Sequence, residues 1–281
     1  LLQSVIGFGS GVATMGDTCG AVNGGVALLG KRFPDMPSVT FYSLCSDYFG
    51  RIEVRMGTPN CGRVHGGRDM VPEFRRALLT GKTRGCTAIL REASEVLDEL
   101  AREVLNGNYR EKPGIEAITR HFEKERFHCS QSVIHNVAER IPMPVERIDH
   151  PARGFCGGTG FNGTLCGAIA GGVMCLGLKA GVDLRNAGYG NTLRILLHGL
   201  AKSGGVFRDE KVFPAAGLFR QCRQIYRTVE SRYGGAHCID ILGYRLDTDE
   251  GTHRYIESGG AQLCREIALN VTEQVADMGS K

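Results

Sequence analysis

The sequence predicts a mainly α-helical protein made of two homologous helical repeats in tandem, each of which contains cysteines. Residues 7–30 agree with residues 154–177 at 12 of 24 positions when the chain is shifted by 147 residues. Such self-similarity indicates an internal duplication. Apolar residues in both halves recur three or four positions apart, which is the spacing of an amphipathic helix. Four cysteines recur in the same order in the two halves, namely Cys19, Cys45, Cys61 and Cys86 in the first and Cys166, Cys222, Cys238 and Cys264 in the second.

Length and composition fit two domains of ordinary size. With 281 residues, each half is long enough to bury its own core. The 11 cysteines are an odd number, so a framework of structural disulfides alone leaves one thiol unpaired. The net charge of +4 is spread along the chain without long runs of one sign, and nucleic-acid binding is therefore not predicted.

A junction rich in turn-forming residues, at 106–114, divides the chain into a first repeat (residues 1–110) and a second repeat (residues 111–281). Each repeat has a glycine-rich turn, at 7–16 and at 154–163, that leads into an apolar helix. Glycines four residues apart in that helix lie on one face and allow another helix to approach closely. These glycines are Gly20 and Gly24 in the first repeat and Gly167 and Gly171 in the second.

Further amphipathic helices complete each repeat. Segments 43–56 and 221–233 each end before a glycine, which is typical of a helix C-terminus. Segments 85–105 and 261–278 form a long closing helix that carries the last cysteine of each repeat. The second repeat is expected to have an additional helix over 115–137.

The additional helix carries Cys129, and Leu1 stands where its counterpart in the first repeat is expected. Either the first repeat has lost this element or the sequence lacks residues there. No signal peptide is visible, and localisation stays open between the cytoplasm and export to the periplasm. The longest apolar run, residues 165–178, is 14 residues long, short of the roughly 20 needed to cross a bilayer, so no membrane span is predicted.

The cysteine pattern resembles a known family. Cys129, the segment Cys166-Gly167-Ala168-x-x-Gly171, Cys238 and Cys264 follow the order of the C_GCAxxG_C_C family of putative redox-active proteins, whose members carry four cysteines around a CGAxxG core. The first repeat supplies three of the four positions, with Cys19-Gly20-Ala21-x-x-Gly24, Cys61 and Cys86. The pattern is also similar to the C-terminal part of split-Soret cytochromes, in which an iron–sulfur centre accompanies haem. Because the chain has no CxxCH motif, covalently attached haem is not expected.

Thiolates are soft ligands that suit iron–sulfur clusters, zinc and Cu(I). A cysteine at the start of a helix also meets unpaired N–H groups and the positive end of the helix dipole, which lower its pKa. Widely spaced cysteines without CxxC pairs are, however, also common as small buried apolar residues. The resemblance implies iron–sulfur ligation, with 2Fe–2S and 4Fe–4S both open. The predicted metal and cofactor ligands are Cys129, Cys166, Cys238 and Cys264, and in the first repeat Cys19, Cys61 and Cys86.

The remaining cysteines are assigned other roles. Cys45 and Cys222 recur in matched surroundings, and packing is the preferred interpretation for both. Cys156 and Cys175 occur only in the second repeat, and one of them could serve as an extra thiol.

Two histidines and one insertion are also of interest. His128 and His237 each precede a motif cysteine, and a surface or hydrogen-bonded role is preferred over ligation for both. The spacing from Cys166 to Cys222 is 56 residues, against 26 from Cys19 to Cys45, which marks an insertion near 181–213 that could form a partner or substrate surface.

These patterns together predict a redox or electron-transfer protein that binds iron–sulfur clusters through its duplicated CGAxxG repeats. Oxidoreductase activity stays open, and no catalytic residue is assigned. A thiol–disulfide redox protein or sensor without metal and a zinc-binding structural module are the alternatives. A homodimer is expected from the small-residue helices, and the redox partner protein is not identified. The glycine clusters lack a following Walker Lys-Ser/Thr pair, so a phosphate loop is not predicted.

Overall fold

Helices form nearly all the regular structure. The computed structural model describes residues 1–67, 70–182 and 188–279. Within these ranges the only extended pairing consists of two isolated β-bridges, and the predicted mainly α-helical fold is confirmed. The first repeat contains α1 (Leu2–Val5), α2 (Gly20–Arg32), α3 (Ser38–Met56), α4 (Cys61–His65), α5 (Met70–Leu79) and α6 (Thr83–Leu105). The second repeat contains α7 (Ile115–Lys124), α8 (Cys129–Ala138), α9 (Asp149–Ala152), α10 (Gly167–Ala180), α11 (Gly188–Lys202), α12 (Ala216–Tyr233), α13 (Cys238–Leu242), α14 (Asp249–Glu257) and α15 (Gly260–Gly279).

The two repeats share one order of elements. Helices α1 to α6 correspond to α9, α10 and α12 to α15, while α7, α8 and α11 occur in the second repeat alone. Four predicted helices are confirmed as α3, α6, α12 and α15, and they begin between one and five residues earlier than the sequence pattern indicated. Helix α11 and the 3-10 turn Ser203–Arg208 occupy the predicted insertion, of which residues 183–187 lie outside the described ranges.

The prediction of one continuous helix over 115–137 is wrong. The chain leaves the helix after Lys124, because Arg126 adopts a left-handed conformation with φ of 50°, and α8 starts at Cys129. Phe122 and Phe127 are both buried, with ring centroids 6.1 Å apart. Five residues apart in a continuous helix, their side chains would point about 140° from each other. The break therefore brings both rings into the core.

The repeats exchange one pair of equivalent helices, α1 and α9. Helix α1 of the first repeat packs on α10, and α9 of the second repeat packs on α2. The rings of Phe8 and Phe155, which are equivalent at the shift of 147, stack between the two halves with centroids 5.2 Å apart. The two repeats therefore share one core, and the division at residue 110 stays a prediction.

This exchange also corrects one alignment. Because α1 occupies the place of α9, Leu1 corresponds to Ile148 and not to Cys129. Among the described residues of 1–110, no helix corresponds to α8.

Helix α10 lies at the centre of the molecule. Every residue from Gly167 to Leu178 is buried, because the helix is apolar on all sides and is covered by α1, α8, α12 and α15. In the described part of the chain no helix has the length and apolar character needed to cross a membrane.

Candidate functional site: two cysteine centres

A β-bridge in each repeat brings two cysteines together. In the second repeat, Leu165 pairs with His237, and these residues directly precede Cys166 and Cys238. The N–H groups of both cysteines donate across the bridge at 2.8 Å. Cys166 caps α10 and Cys238 is the first residue of α13, so the bridge places two helix N-termini side by side.

Two further thiols complete the centre of the second repeat. Cys129 is the first residue of α8, and Cys264 lies in the first turns of α15. Together with Cys166 and Cys238 they line one small cavity with a volume of about 10 Å³. The other lining residues are apolar, namely Phe122, Gly157, Ala168, Ile241, Leu242, Leu246 and Ile267. The structure thus brings together the four cysteines that the sequence singled out in this repeat.

The Cys166 thiol has a lowered pKa. A hydrogen bond from Cys238 is the largest cause, and the N–H groups of Ala168 and Ile169 in the first turn of α10 add to it. Burial opposes the shift, and the nearby imidazole of His237 favours it. The lowered pKa predicted for a cysteine at the start of this glycine-rich helix is confirmed.

The other three thiols of the cavity stay protonated. The pKa of Cys238 is raised well above its usual range by its contact with Cys166, and that of Cys264 by its contact with Cys129. The pKa of Cys129 is raised by Cys156, whose Sγ lies 4.0 Å from its own. An apolar cavity disfavours several thiolates at once, so a cation is needed to ionise all four.

A fifth thiol, that of Cys156, lies beside Cys129 and directly precedes a left-handed turn. Residues 157–161 all have positive φ, including Thr159 at 55° and Phe161 at 67°. A non-glycine residue in this conformation costs about 1–2 kcal/mol. Residues 10–14 form the same turn in the first repeat. In the second repeat the turn brings Gly157 to the cavity wall and buries Cys156 beside Cys129.

A carboxylate of the first repeat supports the second centre. Asp17 is buried and contacts Nε2 of His237 at 2.8 and 2.9 Å, and the hydroxyl of Tyr226 donates to it at 2.7 Å. Burial alone would raise the pKa of Asp17, but the His237 contact and the other donors hold it below its usual value. Sequence analysis missed Asp17, because its partner lies 220 residues away. The equivalent residues of the other repeat, Thr164 and Asn60, do not form such a pair.

The hydrogen-bonded role preferred for the two histidines agrees with the structure. His237 contacts Asp17, and Nδ1 of His128 lies 2.8 Å from the hydroxyl of Tyr42. Each histidine therefore joins the two repeats directly beside a motif cysteine.

The first repeat has a smaller and more open centre. The Thr18–Asn60 bridge places Cys19 beside Cys61. A hydrogen bond from Cys61 is the largest cause that lowers the pKa of Cys19 to about 7, with burial opposing it and two N–H groups of α2 assisting. The same contact raises the pKa of Cys61.

Cys86 and a histidine complete the first centre. Cys86 is exposed, and its Sγ lies 3.1 Å from Nε2 of His65, the last residue of α4. Burial of its sulfur raises the pKa of Cys86. His65 is almost fully buried, and its Nδ1 has no partner within the described residues. His65 was not singled out from the sequence, although it lies four residues after Cys61 and hence on the same helix face.

The equivalent glycines Gly171 and Gly24 differ in what packs against them. A Cβ on Gly171 would lie 2.5 Å from the carbonyl oxygen of Ser130, so α8 packs directly on α10 at this point. A Cβ on the equivalent Gly24 would meet nothing within 4 Å. The groove between α2 and α6, lined by residues that include Leu28 and Leu97, is consequently open.

Three cysteines lie away from both centres. Cys45, Cys175 and Cys222 are fully buried, and burial raises the pKa of Cys175 and Cys222 to about 12. The sulfurs of Cys45 and Cys222 lie against Gly154 and Gly7 where the repeats meet. Packing, the preferred interpretation for Cys45 and Cys222, agrees with these positions.

The described residues contain no group of three or more His, Cys, Asp or Glu side chains placed to hold a single metal ion.

The sequence model of the family described as "Putative redox-active protein (C_GCAxxG_C_C)" matches residues 1–100 and 127–278. Comparison with curated proteins and with solved structures found no match.

Proposed function

Starting from the premise that the chain belongs to the C_GCAxxG_C_C family of putative redox-active proteins, we propose that it transfers electrons and that its second repeat binds an iron–sulfur cluster. One observation carries the proposal. Cys129, Cys166, Cys238 and Cys264, from four separate helices or helix ends, line one enclosed apolar cavity. Four soft thiolate donors around a space that excludes water are the set that such clusters use.

The residues around the cavity fit this cofactor. Cys166 contacts Cys238, and Cys129 contacts Cys264, so the four sulfurs lie close to one another. The hydroxyl of Tyr255 is buried and has no hydrogen-bond partner within the described residues. It lies close enough to Cys264 to favour that thiolate, although not in hydrogen-bond geometry. A donor with no partner next to a thiol is available to a sulfur of a bound group.

A bound iron–sulfur cluster supplies a one-electron couple. The protein holds the thiolates and tunes their charge. Cys129, Cys166 and Cys238 stand at the N-termini of α8, α10 and α13, and for Cys166 two N–H groups in the first turn of α10 favour the thiolate. Phe122, Leu246 and Ile267 keep water out of the cavity.

The test is metal analysis of protein purified without oxygen. Iron, acid-labile sulfide and zinc are measured per chain, with the visible spectrum before and after dithionite. We expect iron and sulfide in equal amounts and a visible band that dithionite bleaches. Cys238→Ala should lose the iron of the second repeat, whereas Cys175→Ala, which removes a buried thiol away from the cavity, should retain it.

Other outcomes would contradict the proposal. Zinc without sulfide would indicate a structural metal protein. Iron that Cys238→Ala leaves unchanged would place the metal elsewhere in the chain, and no metal in either repeat would leave thiol–disulfide chemistry. The iron content of the Cys238→Ala variant also reports whether the first repeat holds metal of its own through Cys19, Cys61 and Cys86.

The first repeat favours a second candidate function, thiol–disulfide exchange. Cys19 has a pKa of about 7, is partly exposed and is hydrogen-bonded to Cys61. The Cys19 thiolate can attack a disulfide and form a mixed disulfide with one of its sulfurs, releasing the other as a thiolate. Cys61 then loses its proton and displaces the second sulfur, so that a Cys19–Cys61 disulfide forms and the substrate gains two electrons.

Oxidised glutathione tests this candidate. Wild-type protein should lose two free thiols per chain, and Cys61→Ala should instead retain one glutathione on Cys19. Cys86→Ala should behave as wild type. Failure of Cys61→Ala to accumulate the mixed disulfide would rule out this pairing.

A further inference from the structure

A cleft lined by arginines lies on the second repeat, and none of its lining residues is a cysteine. It has a volume of about 640 Å³, which is within the range of small-molecule sites. Its walls are formed by α12 and by the end of the 3-10 turn in the insertion. The lining residues are Arg208, Ala216, Arg220, Arg223, Gln224, Arg227, Thr228 and Ser231.

The charge of the cleft is one-sided. Four guanidinium groups line it, and no acidic residue is among its described lining residues. Arg220 pairs with Glu210 at 3.1 Å, with both side chains largely exposed, and Arg223 donates to the hydroxyl of Thr14 at 2.9 Å. Like charges confined to one concave surface repel each other, so an anion in the cleft is favoured.

The fold does not require these arginines. The equivalent residues of α3 in the first repeat are Ser43, Ser46 and Gly50, none of which is charged. There the junction covers the helix face, because Lys112 contacts the hydroxyls of Ser43 and Ser46. The same helix position is therefore a packing surface in one repeat and a basic cleft in the other.

The spacing of the arginines indicates the shape of the anion. Arg220 and Arg227 are two helical turns apart, which is about 10 Å along α12. The planar guanidinium group binds phosphate oxygens in pairs, and the lining Thr228 and Ser231 add hydroxyl donors. We propose that this cleft binds a chain of two or more phosphate groups, either as an inorganic polyphosphate or as the phosphate end of a nucleotide.

The experiment uses the full chain and titrates inorganic tripolyphosphate by calorimetry, with orthophosphate and adenosine triphosphate as further probes. We expect saturable binding of one tripolyphosphate per chain. The double variant Arg220→Gln/Arg227→Gln should weaken it at least 30-fold. Arg232→Gln is the matched control, because Arg232 lies on the same helix but pairs with Glu266 outside the cleft.

The probes distinguish the sources of the phosphate chain. Adenosine triphosphate binding no tighter than tripolyphosphate would assign the cleft to the phosphate chain alone, and tighter binding would assign it to a nucleotide. The proposal is overturned if tripolyphosphate does not saturate, if Arg232→Gln weakens binding as much as the double variant, or if a single-stranded oligonucleotide binds more tightly at the same arginines. Unchanged urea unfolding and iron content in both variants separate loss of this site from loss of the fold or of the cysteine centres.

Discussion

The pKa of Cys19 allows a quantitative prediction about the first centre. With a pKa of about 7 against an ordinary value of 9.0, half of Cys19 is thiolate at pH 7. An ordinary thiol is about 1 % thiolate there, so the thiolate fraction is about 50-fold larger. The lower basicity makes each thiolate a weaker nucleophile by about six- to tenfold. Alkylation of Cys19 at pH 7 should therefore be about five- to eightfold faster than that of an unperturbed thiol of equal exposure.

The perturbation is Cys61→Ala, which removes the hydrogen bond that is the largest cause of the lowered pKa. A hydrogen bond to a charged group contributes about 1.5–3 kcal/mol, so the pKa of Cys19 should rise by at least one unit. The assay is iodoacetamide labelling of reduced, metal-free protein between pH 5 and 10, with each cysteine quantified by mass spectrometry. Cys86→Ala is the matched control and should leave the midpoint unchanged.

Two results would refute this reasoning. One is a midpoint for Cys19 that stays near pH 7 in Cys61→Ala. The other is faster labelling of Cys86 than of Cys19 at pH 7 in the wild-type protein. Cys86 is the more exposed thiol but has a raised pKa, so faster labelling would mean that exposure and not ionisation sets the rate.

Three further predictions concern packing, charge and potential. Gly171→Ala should destabilise the protein by about 1–3 kcal/mol in urea unfolding, because its Cβ would meet the backbone of Ser130. Gly24→Ala should instead stabilise it by about 0.5–1 kcal/mol, because its Cβ would meet nothing. Equal effects of the two substitutions would contradict the packing of α8 on α10. Asp17→Asn should lower the free energy of unfolding by about 1–3 kcal/mol, because it leaves the partly buried imidazole of His237 without its carboxylate partner. Because folding lowers the pKa of Asp17, the carboxylate stabilises the folded state above its unfolded pKa of 3.8, and this stabilisation is lost as the pH falls from 3.8 through the lowered pKa. The free energy of unfolding of Asp17→Asn should therefore depend less on pH below 4 than that of the wild type. The same pH profile for both proteins would contradict this. With a cluster bound, Tyr255→Phe should lower the reduction potential by about 20–65 mV, which is equivalent to one hydrogen bond of 0.5–1.5 kcal/mol. Redox titration of the wild type and the variant tests this, and equal potentials would mean that the hydroxyl does not reach a sulfur.

The sequence was informative where chemistry depends on local order. The CGAxxG segments predicted helices that begin at Cys19 and Cys166. Hydrogen bonds from Cys61 and Cys238 lower both pKa values most, and the N–H groups of these helices add to the effect. The spacing of apolar residues also located the long helices, because the residues that form the buried face of a helix recur every three or four positions along the sequence.

Contacts between distant parts of the chain could not be predicted in this way. The Asp17–His237 pair joins residues of different repeats, and no local pattern marks either partner. The break at Arg126 is set by the core that Phe122 and Phe127 share, whereas the local sequence favours one helix. The arginines of α12 are separated by neutral residues, so they form no charge run. Their cleft also depends on how Arg208 at the end of the insertion packs beside α12, which the sequence did not predict.

The exchange of α1 and α9 has a consequence for how such a chain can evolve. If a single repeat packs one of its helices on a second copy of itself, the two copies form a symmetric pair in which every substitution appears twice. Once both copies lie in one polypeptide, each half can acquire substitutions independently of the other. The covalent link keeps the two halves in equal number, and the exchanged helices α1 and α9 hold them together. Asp17 facing His237, where the other half has Thr164 and Asn60, is a pair that a symmetric ancestor could not have made on one side only.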